Sequence, residues 1–176
     1  MPLRPAATVD AGILPPMREV VTIEGALRGD GKRFGVAASR FNSTLADQLL
    51  AGAVDCLRRH GTAAEAIEVV RVPGAWELPV SLEWLAASGR FHALVALGVV
   101  LRGDTPHFDY ICGECSRGIA RVTERFGIPI AFGVLTCDTV EQAAARAGGK
   151  AGNKGWEAAL AALEMADLRS RLTAAD

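Results

Sequence analysis

The sequence has almost no net charge, few cysteines and no long apolar run. Its 19 basic and 20 acidic residues give a formal net charge of −1, so the chain as a whole lacks the basic character of a nucleic-acid-binding protein. No apolar run is long enough to span a bilayer, and the first residues lack the charged-then-apolar order of a signal peptide. We therefore expect a cytoplasmic protein with neither a membrane nor a nucleic acid as partner. The low net charge is still compatible with a local cationic pocket for a phosphate.

The four cysteines are too few and too scattered for a structural zinc site. Cys112 and Cys115 have the spacing of a redox or metal-binding pair and lie in a βαβ context, which raises both alternatives. A structural zinc site needs about four ligands, and the sequence contains no second pair. A redox pair is expected before a helix and not within one. We therefore expect no metal, and we interpret the pair as free thiols. We also expect no cofactor, since no G-x-G-x-x-G fingerprint is present.

Four short apolar runs alternate with segments of helical periodicity. At 176 residues the chain is long enough for one domain with a substantial core. The pattern predicts strands over 34–38, 67–72, 93–100 and 128–135, and helices over 43–60, 78–87, 107–126 and 139–147 and from Asn153 or Lys154 onward. This β-α order is typical of a parallel sheet with helices on both faces.

Two tails flank the predicted domain. Residues 1–31 form an amino-terminal tail, residues 32–170 the domain and residues 171–176 a carboxyl-terminal tail. Within the first tail, residues 20–23 could form one short strand, which would need another strand to pair with. Met17 is an alternative start, because the residues before it show no structural pattern.

The stretch over 98–108 ends the third predicted strand and begins the next helix. In open α/β sheets, ligands bind at the carboxyl ends of the strands. His107 would lie at the helix start, beside backbone N–H groups suited to an anion. The ordinary pKa of an imidazole, about 6.5, suits proton transfer near neutrality. A lone histidine is more often structural, which is our interpretation of His60 and His92.

This stretch resembles the G-x-V-x-R-G-x-T-x-H-F signature of the lumazine synthase family. Further signatures of that family follow in the same order, at 40–42, 73–79, 132–136 and 146–155, and the resemblance covers residues 34–168. It implies a flavodoxin-like three-layer α/β/α sandwich around a four-stranded parallel sheet. It also implies a transferase of riboflavin biosynthesis, which condenses 5-amino-6-(D-ribitylamino)uracil with 3,4-dihydroxy-2-butanone 4-phosphate.

The resemblance also implies a role for each matching residue. His107 would transfer protons, and Phe41 would stack on the pyrimidine. The residues implied for the pyrimidine and ribityl chain are Phe41, Ala75, Trp76, Glu77, Val99, Val100, Leu101 and Phe132. Those implied for the butanone phosphate are Asp104, Thr105, Arg146 and Lys154. Trp76 departs from the family, which commonly has phenylalanine there, so the resemblance does not predict how Trp76 packs.

Several residues also have simpler interpretations. Glu77 could instead complement the dipole at a helix start. Arg146, Lys150 and Lys154 could be solvated cations near a helix end, although the neighbouring glycines favour close approach of a ligand. A non-catalytic flavin- or nucleotide-binding module is the competing function. It would need a loop rich in serine and threonine after the first strand, which residues 39–42 do not form.

The resemblance implies homo-oligomers, either pentamers or sixty-subunit shells of pentamers, with riboflavin synthase as a candidate partner. The compact connector over 146–155 favours the shell, whereas the proline-bearing tail argues against it unless the tail pairs with a neighbour. In the family the active site spans two adjacent subunits. Phe41, Glu77 and His107 would then come from one chain, and Phe132 and Arg146 from the next.

Overall fold

The structure, a computed structural model, describes residues 20–174 and contains a four-stranded parallel sheet between helices. The sheet strands are β1 (Phe34–Ser39), β2 (Ile67–Val72), β3 (Ala93–Leu101) and β4 (Ile130–Cys137). The helices are α1 (Ser43–Arg59), α2 (Leu78–Ala87), α3 (His107–Phe126), α4 (Val140–Arg146) and α5 (Lys154–Thr173). The strand order is β2-β1-β3-β4, which leaves β4 at an edge.

Alternate side chains of the strands build two cores, one on each face of the sheet. Val95 and Leu97 of β3 pack with α1 and α5, whereas Leu94 and Ala96 pack with α2 and α3. Because β3 is buried on both faces, its sequence is continuously apolar and does not alternate. The predicted three-layer α/β/α sandwich around a four-stranded parallel sheet is therefore confirmed.

The ends of several elements differ from the prediction. β4 begins at Ile130 and not at residue 128, although the Pro129 carbonyl already accepts a hydrogen bond from the Leu94 N–H at 2.8 Å. α4 is shorter than expected, because the Thr139 side chain accepts from the Gln142 N–H and begins the helix at residue 140. α5 continues to Thr173, beyond the predicted domain end at 170.

A short antiparallel pair that the sequence did not predict follows α4. It consists of β5 (Ala147–Gly149) and β6 (Gly152–Asn153). Gly148 and Gly152 have φ values of 120° and 78°, a region that glycine adopts readily. Gly148 and Gly152 thus allow the chain to turn back toward the start of α5.

Part of the predicted amino-terminal tail packs against the carboxyl-terminal half of α5. The Ala26 N–H donates to Asp167 at 2.9 Å, and Lys32 Nζ lies 3.1 Å from the same carboxylate. The Ala26 N–H, helped by Lys32, holds the pKa of Asp167 well below its usual range. Residues 20–23 form no strand in this single chain. Residues 1–19, including Met17, lie outside the described residues.

The first turn of α5 lies unusually close to α1. A Cβ atom added to Gly155 would lie 2.0 Å from the Leu49 carbonyl oxygen. Asn153 holds the same junction, because its Nδ2 donates to the Gln48 carbonyl at 2.9 Å and its Oδ1 accepts from the Gly155 N–H. None of the helices within residues 20–174 combines the length and apolarity needed to cross a membrane.

Candidate active site

A cavity of about 390 Å³ lies at the carboxyl ends of β1, β2 and β3, and we call it the first cavity. Its lining consists of Phe41, Gly74, Ala75, Trp76, Val99, Val100, Leu101, Gly103, Thr105, His107, Phe108 and Ile111. Eight predicted site residues are among them, namely Phe41, Ala75, Trp76, Val99, Val100, Leu101, Thr105 and His107. Parallel pairing brings their loops to one edge of the sheet.

The loop after β1 holds Phe41 through its backbone. The Arg40 N–H donates to the Val72 carbonyl at 2.8 Å, and the Phe41 N–H donates to the Pro73 carbonyl at 3.0 Å. The ring itself is 68% exposed. The backbone hydrogen bonds therefore fix the place of the loop, while most of the Phe41 side chain is exposed at the cavity.

Asn42 occupies the N-cap position of α1, where its carbonyl accepts from the Ala46 N–H at 3.0 Å. Its side chain makes no capping hydrogen bond. The Nδ2 atom instead donates to the Val99 carbonyl at 2.9 Å. Asn42 thereby connects the loop after β1 to the end of β3.

The loop between β3 and α3 is held by Arg102. Its Nε donates to Asp138 at 2.8 Å, and its guanidinium carbon lies 4.1 Å from the centre of the Phe108 ring. The hydrogen bond to Asp138 raises the pKa of Arg102 above its ordinary value. His107 is the first residue of α3 and lies between Arg102 and Phe108 in the chain. Asp104 lies in the same loop but does not line the first cavity.

Glu77 also lies outside the first cavity. Its Oε2 accepts from the Gly74 N–H at 2.9 Å, at the start of the 3-10 turn that precedes α2. The structure therefore shows the helix-start role that was the simpler interpretation of this carboxylate. Its contact with ligand hydroxyls stays a prediction.

A second cavity, of about 450 Å³, lies beside the edge strand β4. It contains the other three predicted site residues, Phe132, Arg146 and Lys154, whereas Lys150 does not line it. Phe132 is 48% exposed. Arg146 Nη1 donates to the Gln142 carbonyl at 3.0 Å, and Lys154 pairs with Glu157. The two cavities share no lining residue, so this chain alone separates the predicted site into two halves.

The chemistry of the thiols argues against the redox alternative. Cys112 and Cys115 both lie within α3 and are free. Burial raises the pKa of both thiols, and that of Cys115 rises to about 12. Since the thiolate is the reactive form, such thiols react poorly. Within residues 20–174, histidine, cysteine and acidic side chains do not gather in a group of three that could hold a metal ion.

Sequence reasoning assigned no site role to Asn42 or Arg102, whose side chains hold the loops of the site. Both lie inside the stretches that carry the family resemblance, at 40–42 and 98–108. Their partners, Val99 and Asp138, are 57 and 36 residues away in the chain. No local pattern reports such contacts, so only their places within the signatures could have drawn attention to them.

Comparison with known proteins agrees with the motifs. The family model for 6,7-dimethyl-8-ribityllumazine synthase matches residues 31–170, most of the chain. The chain belongs to the 6,7-dimethyl-8-ribityllumazine synthase family. A relative of that name from Desulfatibacillum aliphaticivorans is 56% identical over 146 residues, which cover 83% of this chain and 94% of the relative. One from Aquifex aeolicus (strain VF5) is 56% identical over 145 residues, covering 82% and 94%. The resemblance to the lumazine synthase family is thus confirmed.

Proposed function

We propose that this chain condenses 5-amino-6-(D-ribitylamino)uracil with 3,4-dihydroxy-2-butanone 4-phosphate in riboflavin biosynthesis. The products are 6,7-dimethyl-8-ribityllumazine, phosphate and water. Family membership supports the reaction. The observation that carries it in the structure is the first cavity, in which an exposed aromatic ring, the backbone at the end of β3 and an imidazole surround one space.

The first cavity suits the pyrimidine and the proton transfers. The amine attacks the ketone and loses water to form an imine; phosphate then leaves, the chain tautomerises and ring closure releases a second water. In this scheme Phe41 stacks on the pyrimidine, Val99 to Leu101 bind its edge through their backbone groups, and residues 75–77 bind the ribityl chain. His107 donates and accepts the protons, which contributes roughly a hundredfold to ten-thousandfold. Holding the two substrates together contributes up to about 7–11 kcal/mol.

The second cavity suits the phosphorylated substrate. Arg146 can bind a phosphate in a bidentate, charge-assisted manner, and Lys154 adds a second cation in the same lining. In the proposal, Asp104 and Thr105 contact this substrate from the loop before α3. The carboxylate of Asp104 would be tolerated near a phosphate only if the backbone of the loop supplies the hydrogen bonds.

We propose that a complete site forms when the first cavity of one chain meets the second cavity of its neighbour in a ring. The separate linings of the two cavities support this arrangement, as does the half-exposed Phe132 on an edge strand. An interface of this kind is heterologous, and it generates a closed ring when the rotation closes. The family form that we propose is a pentamer or a sixty-subunit shell, with riboflavin synthase as a partner.

The first experiment incubates the purified chain with both substrates and follows the absorbance and fluorescence of the lumazine. Turnover supports the proposed reaction. Binding of flavins or nucleotides without turnover would instead support the non-catalytic alternative. Light scattering that gives only a monomer or dimer would refute the ring.

The second experiment tests the shared site by mixed refolding of His107→Ala and Arg146→Ala chains in equal amounts. Random mixing places an intact half from each chain at roughly a quarter of the sites, so activity should rise toward a quarter of the wild-type value. A matched control mixes His107→Ala with Phe41→Ala. Both changes damage the same half, so no rescue is expected. If mixed rings form and the first mixture is no more active than its components, the shared-site proposal fails.

A further inference from the structure

We propose that Asn42 is a positioning residue that orients the Phe41 ring over the backbone of Val99 to Leu101. The inference rests on the proposed function, because it concerns how the pyrimidine is held. The observation behind it is a side-chain hydrogen bond of 2.9 Å, from Asn42 Nδ2 to the Val99 carbonyl, beside an exposed ring.

The backbone conformation of Asn42 is the first argument for this role. Its φ and ψ are 55° and 47°, and within residues 20–174 it is the one non-glycine residue with positive φ. Asparagine tolerates this left-handed conformation better than most residues, and such conformations persist where the surroundings over-determine them. The turn at Asn42 leads the chain from the loop that contains Phe41 into α1.

The second argument comes from two hydrogen bonds, one made by Phe41 itself and one by Asn42. On one side, the Phe41 N–H donates to the Pro73 carbonyl at 3.0 Å. On the other side, the amide of Asn42 reaches the end of β3, where Val99 is only 2% exposed and therefore firmly placed. Phe41 is thus bracketed by one bond to the loop after β2 and one to β3, both of which line the first cavity.

Phe41 is 68% exposed, so apolar packing constrains its ring less than it would constrain a buried side chain. Loss of the Asn42 amide would therefore leave Phe41 present but free to take several orientations. A flat heterocycle stacks well only on a ring at the right distance and angle. The loss should consequently weaken pyrimidine binding and leave the phosphorylated substrate and the imidazole unaffected.

The test is a double-mutant cycle of Asn42→Gly and Phe41→Ala, measured as KM for each substrate. Glycine adopts the positive φ readily and removes the amide, so KM for the pyrimidine should rise roughly tenfold, the order expected for one hydrogen bond. KM for the butanone phosphate and the pH profile of kcat should stay within about twofold. The double variant should resemble Phe41→Ala alone, since the amide acts through the ring.

Two further variants serve as a substitute for Asn42→Gly and as a control. Asn42→Asp keeps the size of the side chain but cannot donate to the Val99 carbonyl, so it should raise the same KM and can replace a glycine variant that fails to fold. Ser43→Ala, at the next and exposed position, should change neither KM. The inference would be overturned if KM for the pyrimidine is unchanged in Asn42→Gly. It would also be overturned if the fold-changes in this KM from Asn42→Gly and Phe41→Ala multiply in the double variant. A wild-type chain that neither binds nor converts the pyrimidine would refute the proposed function itself, and this inference with it.

Discussion

Replacing Gly155 with alanine should destabilise the protein, although alanine is the better helix former. Gly155 lies in the first turn of α5, where that helix crosses α1. An added Cβ would lie 2.0 Å from the Leu49 carbonyl oxygen, whereas ordinary contact begins near 3.4 Å. The atom in the way belongs to the backbone, so it cannot rotate aside. The two helices must separate locally by up to about 1.4 Å.

The magnitude follows from that separation. Overpacking of this kind typically costs about 1–3 kcal/mol, and a rigid backbone neighbour places the cost at the upper end. The intrinsic gain of alanine is at most about 1 kcal/mol and is smaller at a helix end. With roughly 2–4 °C per kcal/mol for a chain of this size, we expect the unfolding temperature to fall by roughly 4–10 °C.

Thermal unfolding followed by circular dichroism, at equal protein concentration and scan rate, checks this expectation. The matched control is Gly113→Ala in α3, where the nearest atom to an added Cβ is the end of the Arg117 side chain at 3.2 Å. That side chain can move, so the control should melt at the same temperature or slightly higher. If both variants melt as the parent chain does, the argument from the close approach of α1 and α5 is refuted.

Four further changes have definite expected results. His107→Ala should lower turnover roughly a hundredfold to ten-thousandfold while pyrimidine affinity stays nearly unchanged; unaltered turnover across the pH range would remove His107 from the mechanism. Arg146→Ala should raise KM for the phosphorylated substrate far more than for the pyrimidine, and equal effects would indicate a structural role. Changing Cys112 and Cys115 to serine should leave activity within a few-fold and insensitive to chelators, whereas a loss that zinc restores would revive the metal alternative. The folded-state pKa of Asp167 is lowered, so its contribution to stability is full above the ordinary carboxyl pKa of about 3.9 and is lost as the pH falls through the folded value. Asp167→Asn should therefore lower the unfolding temperature at neutral pH, and the difference in unfolding temperature between variant and wild type should become smaller in acid. A difference that stays the same at every pH would contradict this.

The sheet could be predicted because its strands are buried and its connections are long. β3 shows this best, since two cores cover it and every residue but the last is buried. A run of that kind has few alternatives when helical segments flank it. The hairpin of β5 and β6 could not be predicted in the same way. It depends on positive φ at Gly148 and Gly152, which a sequence permits but does not require.

The first cavity could also be anticipated, because parallel strands deliver their exit loops to one edge. What the sequence could not provide were contacts between distant segments. The hydrogen bond from Asn42 to Val99 depends on the register of β1 against β3. The docking of residues 24–32 on α5 includes contacts of the Ala26 N–H and of Lys32 Nζ with Asp167. None of these contacts leaves a periodic pattern in the chain.

The division of the site between two cavities follows from which groups each one contains. The described residues that line the first cavity include His107, whose imidazole transfers protons in our proposal, but they include neither lysine nor arginine. The second cavity has Arg146 and Lys154 but no histidine in its lining. A phosphorylated ketone that reacts with a pyrimidine amine needs both sets within one space, because charge neutralisation and proton transfer act on the same molecule. In our proposal a neighbouring chain meets this requirement, and that is why assembly and catalysis are expected to be lost together.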